Sequence, residues 1–146
     1  MGDILLDTSV YIAALRQGNA AVLSLRRAAR ASEARSRPLW LSMVVLEELY
    51  VGAQDKRTRQ TFERLEREFA TIGRLLVPQR RDWSLAGQVL AQIGQQYGYD
   101  LVGRARMTND ALIAMSAASQ GLTVLTKNPQ DYQLMAEFRP FHFEAV

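Results

Sequence analysis

Short apolar segments with strand character alternate with longer helical segments along this chain of 146 residues. Strands are predicted at residues 3–6, 39–41, 75–77, 123–126 and 141–143. About seven helices are predicted, at residues 9–15, 19–34, 43–53, 56–70, 82–97, 109–119 and just after Pro129. Strands that alternate with helical connections indicate a parallel sheet with helices on both faces. The expected fold is therefore a single three-layer α/β/α domain over residues 1–146, with a central, mostly parallel sheet of about five strands.

The helix predicted at residues 109–119 has almost no polar face, so it is expected to be a buried crossover between strands. Gly121 closes this helix, as Gly18 closes the first one. The segment between the helices predicted at residues 82–97 and 109–119, residues 98–106, contains two glycines and is predicted to be a loop. Four large aromatic residues are expected in the core or at its boundary: Trp40, Phe62, Phe69 and Trp83.

The composition restricts the chemistry that a site in this chain can use. There is no Cys and only one His, His142, so a disulfide framework, a thiolate metal site and a His-based zinc site are not expected. Any metal should have oxygen ligands, which favours Mg²⁺ or Mn²⁺. His142, near the end of the chain, is most simply a structural residue.

Positive charge is unevenly distributed over a chain whose formal net charge is +3. Arginines crowd residues 16–37, a second basic group lies at residues 56–67, and Arg104 and Arg106 precede Asp110. Basic flanks around an acidic centre suit a polyanion whose phosphates are drawn in. The alternative is that these arginines only solvate helix faces.

The apolar run that starts the chain, Ile4 to Leu6, is too short for a signal peptide and has no charged region before it. No stretch approaches membrane-spanning length. A cytoplasmic protein without membrane association is therefore expected.

An acidic residue directly follows the first predicted strand. Asp7 comes after Ile4-Leu5-Leu6 and should lie at the carboxyl end of that strand, the edge where open α/β sheets bind ligands. Three later acidic elements could meet it there: the pair Glu47-Glu48, then Asp110, then Asp131. Parallel sheets collect residues from distant segments at this rim, so the set is expected to hold a cation or activate a water.

Two of these elements have simpler explanations. Asp110 is predicted in the first turn of its helix, where the helix dipole favours the ionised carboxylate, but such an acid commonly just stabilises the helix. Periodicity does not separate Glu47 from Glu48. Gly52, one turn after Glu48, leaves space beside that side chain, and the alternative is that both glutamates face solvent.

Polar side chains also follow the fourth predicted strand, at Thr126, Asn128 and Asp131. Turn chemistry alone explains such a cluster, but together with Ser9 these groups could orient metal-bound waters. Clustered carboxylates repel one another without a cation, so the site is expected to depend on metal. Its natural reaction is phosphodiester hydrolysis by a metal-activated water, since no Lys or His is obviously available as a general base.

Four short segments, taken in order, resemble the PIN-domain family, and within it the VapC-type toxins. They are LLDTS at residues 5–9, ELYVG at 48–52, NDALIA at 109–114 and TKNPQDY at 126–132. The similarity runs in this order from residue 4 to about 132, nearly the whole chain.

This resemblance implies a PIN fold and Mg²⁺- or Mn²⁺-dependent ribonuclease activity, with acidic metal ligands at Asp7, Glu48 and Asp110. Asp131 is a fourth catalytic and metal-binding candidate, for which Asn128 competes. Ser9 stands where the family often has Asn. The resemblance also implies the toxin of a type II toxin–antitoxin pair, a homodimer neutralised by a small antitoxin, with RNA substrates such as tRNA or ribosomal RNA loops.

Two other classes of protein remain as alternatives. A PIN scaffold that binds RNA or protein without cutting would carry the same motifs. A receiver-like signalling module needs an exposed Asp at the end of its third strand, and residues 75–78 contain none.

Overall fold

Five strands form one sheet in the computed structural model of the chain, which describes residues 2–32 and 37–146, with the backbone alone for 26–32. The strands are β1 (Ile4–Leu6), β2 (Leu39–Ser42), β3 (Leu75–Leu76), β4 (Thr123–Thr126) and β5 (Phe143–Ala145). Their order across the sheet is β3-β2-β1-β4-β5. All four strand pairings are parallel, so the predicted α/β sheet is confirmed.

Eight helices surround the sheet within the described ranges, one more than the seven predicted. They are α1 (Thr8–Leu15), α2 (Asn19–Ser32), α3 (Met43–Gly52), α4 (Lys56–Thr71), α5 (Arg80–Tyr97), α6 (Tyr99–Val102), α7 (Ala105–Ser119) and α8 (Gln130–Ala136). Helices α1 to α4 pack on one another and α5 to α8 pack on one another, which gives the outer layers of the three-layer fold. The residue Ala34, at the predicted end of the second helix, lies outside the described residues.

Helix α7 is the buried crossover that its sequence predicts. Every residue from Asp110 to Ala117 is buried, most of them completely. Helix α4 is amphipathic as predicted, because Phe62, Leu65 and Phe69 enter the core while Glu63 and Arg64 face water.

The prediction for one large aromatic residue is wrong. Trp83 is 60% exposed, because α5 turns a different face to the core, carried by Ala86, Val89 and Ile93. Trp40, which is half-buried on β2, agrees with its predicted boundary position.

The predicted loop at residues 98–106 is also wrong. It contains α6 and the beginning of α7, which starts at Ala105. Ala, Arg and Met are good helix formers, and Met107 adds a buried anchor. Asp110 is therefore the sixth residue of its helix and lies beyond the first turn of about 3.6 residues.

Smaller differences concern the ends of elements. Helix α5 begins at Arg80, and Asp82 lies in its first turn, where it forms a capping box with Gln79 instead of capping the helix itself. Strand β3 ends before the exposed Val77, and β5 lies two residues later than predicted. No helix of the described part of the chain is both long enough and apolar enough to cross a membrane.

Candidate functional site

The end of the central strand positions Asp7. Strand β1 pairs with β4, and the backbone N–H of Asp7 continues the ladder by donating to the Leu125 carbonyl at 3.0 Å. Asp7 then caps α1, accepting from the Ser9 backbone N–H at 3.0 Å. Its side chain is only 4% exposed, so both carboxylate oxygens need partners inside the protein.

Hydroxyl groups supply those partners. Thr126 Oγ1 donates to Asp7 Oδ2 at 2.6 Å, and Ser9 Oγ donates to Asp7 Oδ1. The backbone N–H groups of Asn128 and Lys127 in turn donate to the Thr126 and Ser9 hydroxyls. Ser9 and Thr126, which are predicted to lie near the acidic set, both contact Asp7 directly.

The two neighbouring glutamates of α3 have different surroundings. Glu48 is half-buried and accepts a hydrogen bond from Thr8 Oγ1 at 2.5 Å, whereas Glu47 is exposed. The phase of the helix therefore turns Glu48, and not Glu47, toward the end of β1.

Asp110 reaches the same place from α7. Its side chain lies 3.5 Å from Tyr132 Oη through Oδ1 and 4.0 Å from Arg106 Nε through Oδ2. Burial, together with the charges of Asp131, Asp7 and Glu48, raises the pKa of Asp110 from 3.8 to about 8, although Arg106 opposes the rise. The prediction that the helix dipole keeps Asp110 ionised is therefore wrong, because the residue is buried and lies beyond the first turn of α7.

Asp7, Glu48 and Asp110 line one pocket of about 410 Å³. The other residues that line it are Thr8, Ser9, Ile12, Ala13, Arg16, Arg106, Lys127 and Asn128. Among the described residues, no three Asp, Glu or His side chains stand close enough to surround a metal ion without rearrangement. In this acidic pocket the three carboxylates face the same solvent-filled space, but they do not surround a common point within it.

Asp131 and Asn128, the two candidates for the fourth position of the site, differ in where they lie relative to this pocket. Asp131 lines a neighbouring cavity of about 230 Å³, which shares Arg106 and Asn128 with the acidic pocket. Its charge still contributes to the raised pKa of Asp110. Asn128 is exposed, and its amide oxygen, in the orientation that satisfies both ends of the group, accepts from Arg106 Nη2 at 2.9 Å.

Three polar contacts of the acids were not predicted, those of Thr8, Arg106 and Tyr132. Arg106 lies four residues before Asp110, a spacing that favours an ion pair on a helix. This pair was not predicted because residues 98–106 were expected to form a loop. No sequence signal distinguishes the buried Tyr132, whose ring packs on Phe141 and Phe143 with centroids 5.9 and 6.1 Å away.

The raised pKa of Asp110 predicts a pH dependence of stability. Between pH 3.8 and about 8 the folded protein keeps a proton that the unfolded chain has lost, so the free energy of unfolding should fall as pH rises through this interval. The Asp110→Asn protein lacks this contribution. In urea denaturation without divalent cations, the stability of the wild type relative to Asp110→Asn should decline by up to about 1.4 kcal/mol per pH unit. A difference that stays constant from pH 5 to pH 8 would show that Asp110 titrates normally.

The fold is that of a PIN domain. The sequence profile of the PIN domain family matches residues 4–136, and the chain belongs to this family. No curated protein sequence matches the chain.

Several solved structures share the fold, and some of them belong to the VapBC family of toxin–antitoxin systems. A DNA-bound VapBC from Salmonella typhimurium is 19% identical, with a TM-score of 0.66 over 99% of this chain and 98% of that chain. VapBC-1 from nontypeable Haemophilus influenzae is 22% identical, with a TM-score of 0.65 over 99% and 98% of the two chains. FitAcB from Neisseria gonorrhoeae is 23% identical, with a TM-score of 0.56 over 96% and 95%.

Proposed function

We propose that this chain is a metal-dependent endoribonuclease that hydrolyses RNA phosphodiester bonds, and that it is the toxin of a type II toxin–antitoxin pair. The main support is that Asp7, Glu48 and Asp110, from three distant segments of a PIN domain, line one pocket. Clustered carboxylates repel one another, so some of them bind protons when no cation is present. A divalent cation would relieve the same repulsion, which suits a metal-binding site.

The oxygen-only donor set fits Mg²⁺ or Mn²⁺. Mg²⁺ usually keeps several waters and takes one or two protein carboxylates, so an open cleft is compatible with it even though the acids do not surround an ion as they stand. Asp7, Glu48 and Asp110 would hold the cation, and Asp131 is near enough to add its charge. When bound, such an ion lowers the pKa of a water and neutralises charge on the phosphate oxygens.

The chain's own groups hold this arrangement in place. Ser9 and Thr126 fix Asp7, and Thr8 fixes Glu48, each through a hydroxyl that donates to the carboxylate. The single His142 is exposed and does not line the pocket, and the one Lys of the pocket wall, Lys127, is exposed as well. We therefore assign no protein side chain as general base, and activation of the water falls to the metal site.

The proposal includes a protein partner. VapBC proteins, to which the chain is similar in fold, belong to a family of toxin–antitoxin systems. A small cognate antitoxin is accordingly proposed here, with a homodimer as the toxin assembly. Size measurements on the chain alone and after coexpression with the protein encoded next to it would test both parts.

Incubation of the purified, partner-free protein with a total RNA pool tests the activity, with Mg²⁺, Mn²⁺ or EDTA and with the Asp7→Asn protein alongside. Discrete fragments that require both metal and Asp7 would support the proposal. If RNA stays intact in every lane while the protein still binds it, a PIN scaffold that does not cut becomes the better explanation.

The Tyr132→Phe variant tests how the metal site is held. Burial and the charges of Asp110, Asp7 and Glu48 raise the pKa of Tyr132 well above its ordinary value, so the hydroxyl stays a proton donor facing the carboxylates. Removing it while keeping the ring should weaken Mn²⁺ binding, measured by calorimetry, about fivefold, the equivalent of one net hydrogen bond. Tyr50→Phe, which removes a hydroxyl bonded to Glu66 at 2.6 Å, should leave the Mn²⁺ affinity unchanged. Equal affinities in both variants would mean that Tyr132 only packs.

A further inference from the structure

The acidic pocket carries as many cations as carboxylates. Arg16, Arg106 and Lys127 line it together with Asp7, Glu48 and Asp110. The proposed metal explains the acids but not the cations, and a cleft made only to bind a divalent cation would gain nothing from three positive side chains on its wall.

Arg106 is held at the border of the site. Its Nε lies 4.0 Å from Asp110 Oδ2, and its Nη2 donates to the Asn128 amide oxygen at 2.9 Å. The side chain nevertheless remains 60% exposed. The guanidinium therefore has a fixed direction beside Asp110 and still has N–H groups available for an anion, since arginine carries five donors.

The other two cations have no partner inside the described part of the chain. Neither Arg16 nor Lys127 forms an ion pair there, and both are exposed. Lys127 is anchored through its backbone, whose N–H donates to Ser9 Oγ at 2.9 Å. Arg16 immediately follows the last residue of α1, eight residues after Thr8 and therefore about 12 Å further along the helix axis.

From this arrangement we propose that Arg16, Arg106 and Lys127 form a phosphate-binding track that holds the backbone of single-stranded RNA across the carboxylates. Arg106 and Lys127 contact the phosphate that lies at the carboxylates, or the next phosphate along the strand. Arg16 contacts a phosphate further along the strand. This inference rests on the proposed function and adds the residues that hold the substrate.

The track resolves an electrostatic difficulty of the proposed function. A polyanion approaching three carboxylates is repelled, and one divalent cation offsets only part of that repulsion. Three cations that line the same pocket balance the acids and give each phosphate a partner. Arginine suits this task because its planar fork matches phosphate geometry.

A second basic surface offers the competing explanation. Helix α4 exposes Lys56, Arg57, Arg59, Arg64 and Arg67, and these could attract RNA without regard to the pocket. Arg59 is exposed and lies outside the acidic pocket, so Arg59→Ala is a matched control for the loss of one positive charge.

The salt dependence of binding counts the phosphate contacts. Affinity for a fluorescent single-stranded oligoribonucleotide of mixed sequence would be measured at several salt concentrations in Mg²⁺, on the Asp7→Asn background so that the RNA stays uncut. Each phosphate contact contributes about 0.7 to the slope of log K against log salt for single strands. The slope is negative, and Arg16→Ala, Arg106→Ala and Lys127→Ala should each reduce its magnitude by about this amount. The triple variant should reduce it by about 2, while Arg59→Ala leaves it unchanged.

Two further results complete the test. With Asp7 intact, the Mn²⁺ affinity of the Arg16→Ala and Lys127→Ala proteins should match that of the wild type, which separates loss of phosphate contacts from loss of metal. If the triple variant keeps the parent slope, or if Arg59→Ala lowers it equally, the track is wrong although ribonuclease activity stands. If the wild type neither binds nor cuts RNA with metal, the proposed function itself fails.

Discussion

Asp7→Asn should reduce metal-dependent RNA cleavage by about a thousandfold or more while the protein stays folded. The substitution removes one negative charge from the proposed ligand set, and the charge stabilisation that a metal supplies is worth several kcal/mol. About 4 kcal/mol corresponds to a thousandfold in rate. Cleavage of an RNA pool and thermal unfolding, measured on the same preparation, would check both halves of the prediction.

The fold should survive because asparagine can replace most of what Asp7 does locally. Asn caps helices as well as Asp does, so the contact with the Ser9 N–H is retained. The Thr126 hydroxyl, which now donates to Asp7, has lone pairs left to accept from an amide. The loss of about 1 kcal/mol for an altered hydrogen bond is opposed by relief of the repulsion between Asp7 and Glu48.

Asp55→Asn provides the matched control. Asp55 also caps a helix, accepting from the Thr58 backbone N–H at 2.8 Å, but it lies at the start of α4, outside the acidic pocket. The variant should therefore fold and cleave RNA like the wild type. An unfolded Asp7→Asn protein beside a folded Asp55→Asn protein would mark Asp7 as a structural residue, and full cleavage by Asp7→Asn would remove it from the proposed site.

The parallel sheet and the position of Asp7 could be predicted because both depend on short-range patterns. A buried strand of apolar residues ends where Asp7 and two hydroxyl residues follow it, and glycines mark the ends of α1 and α7. Gly18 and Gly121 adopt φ values of +120° and +70°, which few other residues tolerate. Signals of this kind depend on the local chain alone.

The surroundings of Asp110 could not be predicted, because they depend on where a helix begins and on what packs around it. Two glycines suggested a loop up to Arg106, yet Met107 is buried and α7 begins two residues before it. That shift removes the favourable end of the helix dipole from Asp110 and replaces it with burial. The direction of the pKa change is reversed as a result.

The hydroxyls that hold the acids are a matter of tertiary structure. Thr8 meets Glu48 across 40 positions of sequence, and Thr126 meets Asp7 across 119. Local patterns contain no information on such pairs. The strand order that places β1 beside β4 creates the second of these contacts.

Glu48→Gln and Glu47→Gln should separate the two glutamates that periodicity alone could not. The glutamine in Glu48→Gln would keep the oxygen that accepts from the Thr8 hydroxyl but lose the charge that faces Asp7 and Asp110. Cleavage is therefore expected to fall by about a hundredfold or more, equivalent to about 3 kcal/mol. Glu47 is exposed and lies outside the pocket, so Glu47→Gln should change the free energy of unfolding by no more than about 0.5 kcal/mol.

Both variants carry the same chemical change one residue apart on α3, so each controls for general effects of the substitution on that helix. Initial cleavage rates at saturating Mg²⁺, together with Mn²⁺ affinity, decide between them. Loss of rate and of Mn²⁺ affinity in Glu48→Gln alone would support Glu48 as a ligand. Loss of rate with unchanged Mn²⁺ affinity would instead place Glu48 with the groups that position water or RNA, and loss in Glu47→Gln would contradict the orientation of α3 on which the site depends.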